Sequence, residues 1–158
     1  MLFGSIEDWP GLYAKCFRHL KPGAHFEQVE MDFEPRSANG PLAPNFSLVQ
    51  WYNLLMTAMD QCGKPMRLPP NNSDRLRAAG FVNIQEEVIR VPLTPWSRDR
   101  HEQDMARWFN LGMMHGIEGY SLAPLLRILR MPEEDVRDLI TRLKSDMLLV
   151  MPRIYCRL

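Results

Sequence analysis

The sequence lacks most of the features that mark a specialised surface or compartment. Its 158 residues carry 19 Lys and Arg against 19 Asp and Glu, so neither sign is in excess. Binding along a phosphate backbone depends on accumulated Lys and Arg, and a net charge of zero excludes a nucleic-acid binder held by a basic field. Cysteine is scarce: Cys16, Cys62 and Cys156 are widely separated and make no secreted disulfide framework. They read as free thiols in a reducing compartment, the cytoplasm or the nucleus. No apolar run approaches the ~20 residues that span a bilayer, and no basic stretch followed by an apolar one opens the chain as a secretory leader would. Also missing are a Ser/His/Asp set, a cysteine in a nucleophilic setting, a phosphate-binding loop, an internal repeat and a low-complexity tract.

What is present in quantity is methionine, with 11 residues. Met is flexible and polarizable, so it serves equally as filler of a loosely specified core and as lining of an adaptable pocket. The length fits one domain over 1–158, because a chain of roughly 150 residues buries about 70% of its unfolded surface.

The local signals predict a mixed α/β chain. Asp8 is a good N-cap and Pro10 falls in the first turn of a helix carrying Leu12, Tyr13, Cys16, Phe17 and Leu20 on one face, stopped by Lys21-Pro22-Gly23. Residues 25–33 read as a strand, with Phe26, Val29, Met31 and Phe33 interrupted by Glu27, Glu30 and Asp32. A loop at 35–44 precedes a helix over 46–62 that ends at Gly63. A short helix over 73–79 ends at Gly80, and residues 81–93 read as a second strand rich in β-branched residues. Beyond Pro95-Trp96, Asp99 caps a helix through Met113, residues 121–129 form a second, and Pro132-Glu133-Glu134-Asp135 starts a third. Residues 148–158 complete the pattern as a strand weakened by Pro152.

Three stretches resemble a known family. Gly4-Ser5-Ile6-Glu7-Asp8-Trp9-Pro10, then Arg18-His19-Leu20-Lys21-Pro22-Gly23, then Glu27-Gln28-Val29-Glu30 are similar to the fourth-strand exit, following helix and fifth strand of class I methyltransferases. Ala78-Ala79-Gly80-Phe81-Val82-Asn83-Ile84 is similar to the element before that family's sixth strand, and Pro92-Leu93, Pro95-Trp96 and Asp99 to the turn before its helical insertion. The nearest variety is the fungal LaeA-like group, associated with secondary metabolism. Ala24 departs from the second glycine usual after the LKPG turn.

The resemblance implies a truncated Rossmann-like fold: the last three strands of the sheet, with a helical cap over about 97–146 on the substrate side. It also implies S-adenosylmethionine as cofactor. Such a cofactor needs clustered glycines for close backbone approach and an acid for the ribose. The chain has nine glycines and no Gly-x-Gly. Its expected role is therefore that of the substrate-side half, with the cofactor-binding half absent. The strand over 25–33 would lose its neighbour and expose an unpaired edge, which predicts a homo-oligomer or a partner chain docking there.

Glu30 and Asp32 lie near the C-terminal end of that strand, where open α/β sheets place ligands; two readings are open, substrate orientation and charges that protect an edge. His115 and Glu118, three apart on one helical face, are the candidate catalytic pair, Glu118 orienting the imidazole; a surface histidine beside an incidental acid is the competing reading. Two ligands are too few for a metal site, so no metal is expected. Trp9, Trp96, Trp108, Met113 and Tyr120 supply flat or adaptable apolar surface for an apolar small-molecule substrate, or simply core. A cofactor-independent cyclase or pericyclase using the same apolar cavity, and a non-enzymatic remnant that docks by its open edge, are the alternative functions.

Overall fold

The computed structural model describes residues 4–67, 69, 71–148 and 153–158. Helix α1, Trp9–His19, starts as its cap signal dictates: Asp8 Oδ1 accepts the Gly11 N–H at 2.9 Å, and Pro10 occupies the first turn. Helix α2, Ser47–Gln61, buries Leu48, Trp51, Tyr52, Leu55 and Met56 at helical spacing, and Gly63 ends it in the left-handed region with φ 72°. Helix α3, Asn72–Ala78, ends before Gly80, where an added Cβ would fall 2.8 Å from the Phe17 ring. That glycine is required both by its φ of +105° and by the close approach of α1.

Helix α4, Arg100–Leu122, is capped by Asp99, which accepts the Glu102 N–H at 2.9 Å. It does not stop near Met113, as the local pattern predicts, but runs on through Gly112, Gly116 and Gly119. Its buried positions Ala106, Met113, Ile117 and Ser121 keep a helical period across those glycines, and packing of that face outweighs their poor propensity. Instead of a separate helix, Ala123–Ile128 continues α4 as a π-helical segment. Pro124 lacks an N–H and its ring crowds the preceding turn, and the wider turn accommodates it. Helix α5, Glu133–Leu148, carries three acids in its first turn and buries Val136, Leu139, Ile140, Leu143 and Met147.

The strands are shorter than the sequence predicts. Strand β1 is Asp32–Ser37, overlapping the expected strand at only its last two residues; β2 is Arg90–Pro92 and β3 is Ile154–Arg157. Strand pairing needs a partner, and β3 meets only these residues. Of the predicted last strand, residues 149–152 lie outside the described residues. The sheet order is β1-β3-β2, with β3 antiparallel to both neighbours, so β1 and β2 run parallel and are joined through helices. A register irregularity between Asp32 and Arg36 interrupts the β1–β3 pairing, and Pro35 is tolerated in this edge strand.

Two hydrophobic clusters result. The larger joins α2, α4, the π-helical segment and α5 to the sheet through Phe33, Trp51, Leu93, Ile117, Leu125, Leu143 and Ile154. The helices over 97–146 are thus part of the same core as α2 and the strands. The smaller packs Trp9 and Tyr13 of α1 against Phe26, Leu76 and Phe81. Among the described residues no helix is long and apolar enough to cross a membrane.

Candidate functional site

The densest group of interacting polar side chains sits where β1 leaves the extended segment before it. Asp32 faces Arg36 four residues on, with Arg36 Nη2 donating to Asp32 Oδ2 at 2.7 Å. Arg36 also holds Glu34, by an ion pair to its carboxylate and by an Nη1–H donated to its carbonyl at 3.1 Å. Helix α2 brings Tyr52 to this group. Arg67, ion-paired with Asp60 near the end of α2, is the cation acting on the Tyr52 hydroxyl. Burial first, then the charges of Asp32 and Glu34, push the Tyr52 hydroxyl above its ordinary pKa of 10.0, against the opposing pull of Arg67. Tyr52 therefore stays protonated. A protonated phenol can donate a hydrogen bond and is not a base. The backbone turn at Gly4 closes over the methionines of this end, with φ 86° and room for a Cβ only 2.8 Å from Met66 Cγ and 3.4 Å from Met59 Cε.

A second polar network lies beneath α1. Tyr13 Oη is 2.8 Å from Gln28 Oε1 and 2.8 Å from Asn72 Oδ1, and Gln28 Nε2 donates to Glu30 Oε1 at 3.2 Å. One hydroxyl has one proton, so Tyr13 donates to one amide and accepts from the NH2 of the other. Burial raises the Tyr13 pKa as well. The network ties α1, the extended segment and the N-terminus of α3 together.

The predicted site residues are distributed over the whole molecule. Asp32 belongs to the first cluster and Glu30, buried, to the second. Trp9 is buried with its ring centroid 5.4 Å from that of Tyr13. Met113 is in the main core, and Trp96 donates its indole N–H to the Ile154 carbonyl at 3.3 Å. Tyr120 leans on Phe33, centroids 5.8 Å apart, while Trp108 is 73% exposed on α4. His115 is exposed, and Glu118 does not turn to it: Lys144 Nζ of α5 donates to Glu118 Oε1 at 2.6 Å and holds its carboxyl below the ordinary value. The His115–Glu118 geometry expected from their spacing is replaced by this cross-helix ion pair. Tyr52, Arg36 and Arg67 were not among the expected site residues. Tyr52 has a local signal, a tyrosine on an otherwise apolar helix face, whose hydroxyl needs a polar partner.

A shallow groove of about 510 Å³ runs between α2 and α5, lined by Gln50, Asn53, Leu54, Asp135, Asp138 and Arg142 among others. None of the predicted substrate-binding residues lines it. No cluster of three or more His, Cys, Asp or Glu with metal-binding geometry occurs among the described residues.

Over its whole length the chain is similar to fungal regulators. It is 39% identical over 162 aligned residues to the secondary metabolism regulator laeA of Fusarium oxysporum f. sp. lycopersici, covering 100% of this chain and 51% of that protein. The chain is LaeA-like. It is 43% identical to the secondary metabolism regulator LAE1 of Cochliobolus heterostrophus, over 81% of this chain and 42% of the relative. A relative in Emericella nidulans, named protein-methionine methyltransferase laeA, is 41% identical over 90% of this chain and 38% of its own length. The LaeA-like chain thus spans about half, or less, of the length of these relatives. No protein-family profile matches it, and no solved structure is similar to it.

Proposed function

We propose that this LaeA-like chain forms the acceptor-side layer of a class I, S-adenosylmethionine-dependent methyltransferase of fungal secondary metabolism, acting on an apolar small-molecule intermediate. The observation that carries the reading is the similarity to the LaeA regulator along the entire chain and to LAE1 over 81% of it. The parallel pair β1 and β2, connected through helices, supports an α/β origin for the sheet.

The residues present do not fit S-adenosylmethionine by themselves. The positive-φ glycines Gly4, Gly23, Gly40, Gly63 and Gly80 stand singly at turns and helix ends, with no clustered loop opening a helix. The N-termini of α1 and α4 are already occupied by the carboxylates of Asp8 and Asp99. Holding the cofactor therefore falls to another polypeptide or segment, and the free edge of β1 is the expected contact. What this chain's own residues supply is placement. In this reading the protonated Tyr52 hydroxyl is offered to the acceptor, with the Asp32–Arg36 ion pair as a charged rim beside it.

A second reading is favoured by the name of the Emericella relative: a methionine side chain of a protein as acceptor. A thioether has no proton to lose, which suits a site whose tyrosine is a donor. Titration calorimetry of the purified chain with S-adenosylmethionine tests the division of labour. No binding in the micromolar range is expected, and tight binding by this chain alone would overturn it. Methyl incorporation into candidate polyketides or into methionine-containing peptides, once the cofactor half is added, separates the two acceptors; product formed from a polyketide without cofactor would instead indicate the cyclase.

A further inference from the structure

Helix α4 buries one face and leaves the opposite one uncovered. Ala106, Met113, Ile117 and Ser121 point into the core. At helical spacing, Trp108, Leu111, Gly112, His115 and Gly119 then fall on the far side. All five are exposed, Trp108 by 73% and Leu111 by 46%. Space is open at Gly112 and Gly119, where an added Cβ meets nothing within 4 Å. Such a face is unfavourable alone on two counts: the indole stays hydrated, and the glycines weaken an exposed helix relative to alanine.

The same face is complementary to itself. In a two-fold antiparallel pairing, a residue before the midpoint meets the one equally far after it. With the midpoint between Met113 and Met114, Trp108 of each copy lies over Gly119 of the other, and His115 of each lies over Leu111 and Gly112 of the other. The charges match as well. Arg107 and Glu118 lie on one flank of the face, and in an antiparallel pair each flank meets its own kind. Arg107 of each copy therefore comes within about half a turn, ~3 Å along the axis, of Glu118 of the other. Arg107 already holds Asp104, and Glu118 holds Lys144, both on the surface. The contact joins these two ion pairs into one alternating row of four charges. With 19 charges of each sign, the chain has no net repulsion to oppose self-association.

We propose that the exposed face of α4 is a homodimer interface, in which α4 of two copies packs antiparallel and Trp108 of each fills the glycine notch of the other. The contact from Asp104 to Leu122 runs about 27 Å along helices 10–12 Å across, and buries on the order of 500 Å² per copy. A standard stable interface buries about 800 Å² per partner, so this dimer is weak, with a dissociation constant of about 10–100 μM. The surface is separate from the outer edge of β1, and the inference does not rest on the methyl-transfer reading.

Sedimentation equilibrium of the full 158-residue protein, from about 2 to 200 μM, tests this. A monomer–dimer equilibrium is expected, weakened about tenfold or more in Trp108→Ala and in Gly119→Gln. Both positions are exposed, and glutamine is the better helix former, so the monomer should keep its fold, which circular dichroism checks. The charged flank tests the antiparallel register. Arg107→Glu sets acid against acid at both contacts, and Glu118→Arg sets base against base, so each variant alone should self-associate about tenfold more weakly. Mixed in equal amounts, the two variants restore opposite charges at both contacts and should associate about tenfold more tightly than either alone. A monomer throughout the range, a dimer unmoved by Trp108→Ala and Gly119→Gln, or a mixture that associates no better than its components would overturn the proposal.

Discussion

Removing one hydroxyl from the centre of the larger core gives the sharpest test of its packing. Ser121 and Trp51 are fully buried. The Ser121 hydroxyl donates to the Ile117 carbonyl at 2.5 Å and accepts the Trp51 indole N–H at 2.8 Å. In Ser121→Ala the Ile117 carbonyl keeps its helical partner, but the indole N–H is left buried and unpaired, at a cost of about 1–3 kcal/mol. Alanine's better helix propensity returns up to about 0.5 kcal/mol. The net loss is therefore about 0.5–3 kcal/mol. For 158 residues the unfolding entropy is about 0.33 kcal/mol/K, so Tm should fall by about 1.5–9 °C. A thermal melt followed by far-ultraviolet circular dichroism measures it. The same substitution in a Trp51→Phe background should be nearly neutral, because the stranded donor is gone, and the double-mutant cycle should show a coupling of about 1 kcal/mol or more. A Tm change within about 1 °C in the Trp51 background would refute the reasoning, since a shift that small corresponds to well under 0.5 kcal/mol.

Burial pushes the Cys156 thiol up to about 12, so at pH 8 its thiolate fraction is lower by about three orders of magnitude than that of an ordinary cysteine. Iodoacetamide labelling read by mass spectrometry should modify half-buried Cys16 and Cys62 while sparing Cys156 in the folded protein. Tyr13 and Tyr52 both have raised folded-state pKa values. A raised value means the stability is fully present below the unfolded pKa of about 10 and is lost as pH rises beyond it. Urea midpoints should therefore drop above about pH 10, and less steeply in Tyr13→Phe with Tyr52→Phe than in the parent. Glu118 is exposed and paired with Lys144 on the surface, so Glu118→Gln should leave Tm within about 3 °C, because exposed ion pairs contribute little. A larger fall would show that the pair pins α4 to α5.

The helices were legible in the sequence because their signals are local. Asp8 and Asp99 cap, Gly63 and Gly80 stop, and the acids at 133–135 start a helix, each through bonds or dipoles within one turn. The strands were not, because a strand exists only where a distant segment pairs with it. Residues 25–31 have a strand's composition, yet the pairing with β3 begins at Asp32. The join of α4 to the π-helical segment was likewise hidden: its glycines read as stops until the buried face they interrupt is seen to be continuous. Of the candidate site, Asp32, Glu34 and their partner Arg36 are close enough in sequence to be read together. Tyr52 and Arg67 reach them from α2 and the loop after it. The family resemblance, carried by motifs scattered over the chain, was visible because it needs order rather than contact, and similarity to LaeA along the full length bears it out.

The division into two hydrophobic clusters implies that the molecule has two cooperative units of unequal strength. The smaller unit, α1 with α3, holds only Trp9 and Tyr13 fully in its interior and leans on half-buried neighbours. Local opening follows the least-buried contacts first, so hydrogen exchange should be faster in this layer than in α2, α4 and α5. The Tyr13–Gln28–Asn72 bonds hold that smaller layer together from within. The first helix and the extended segment beneath it are thus bound to the sheet by far less buried surface than the sheet's own helices are.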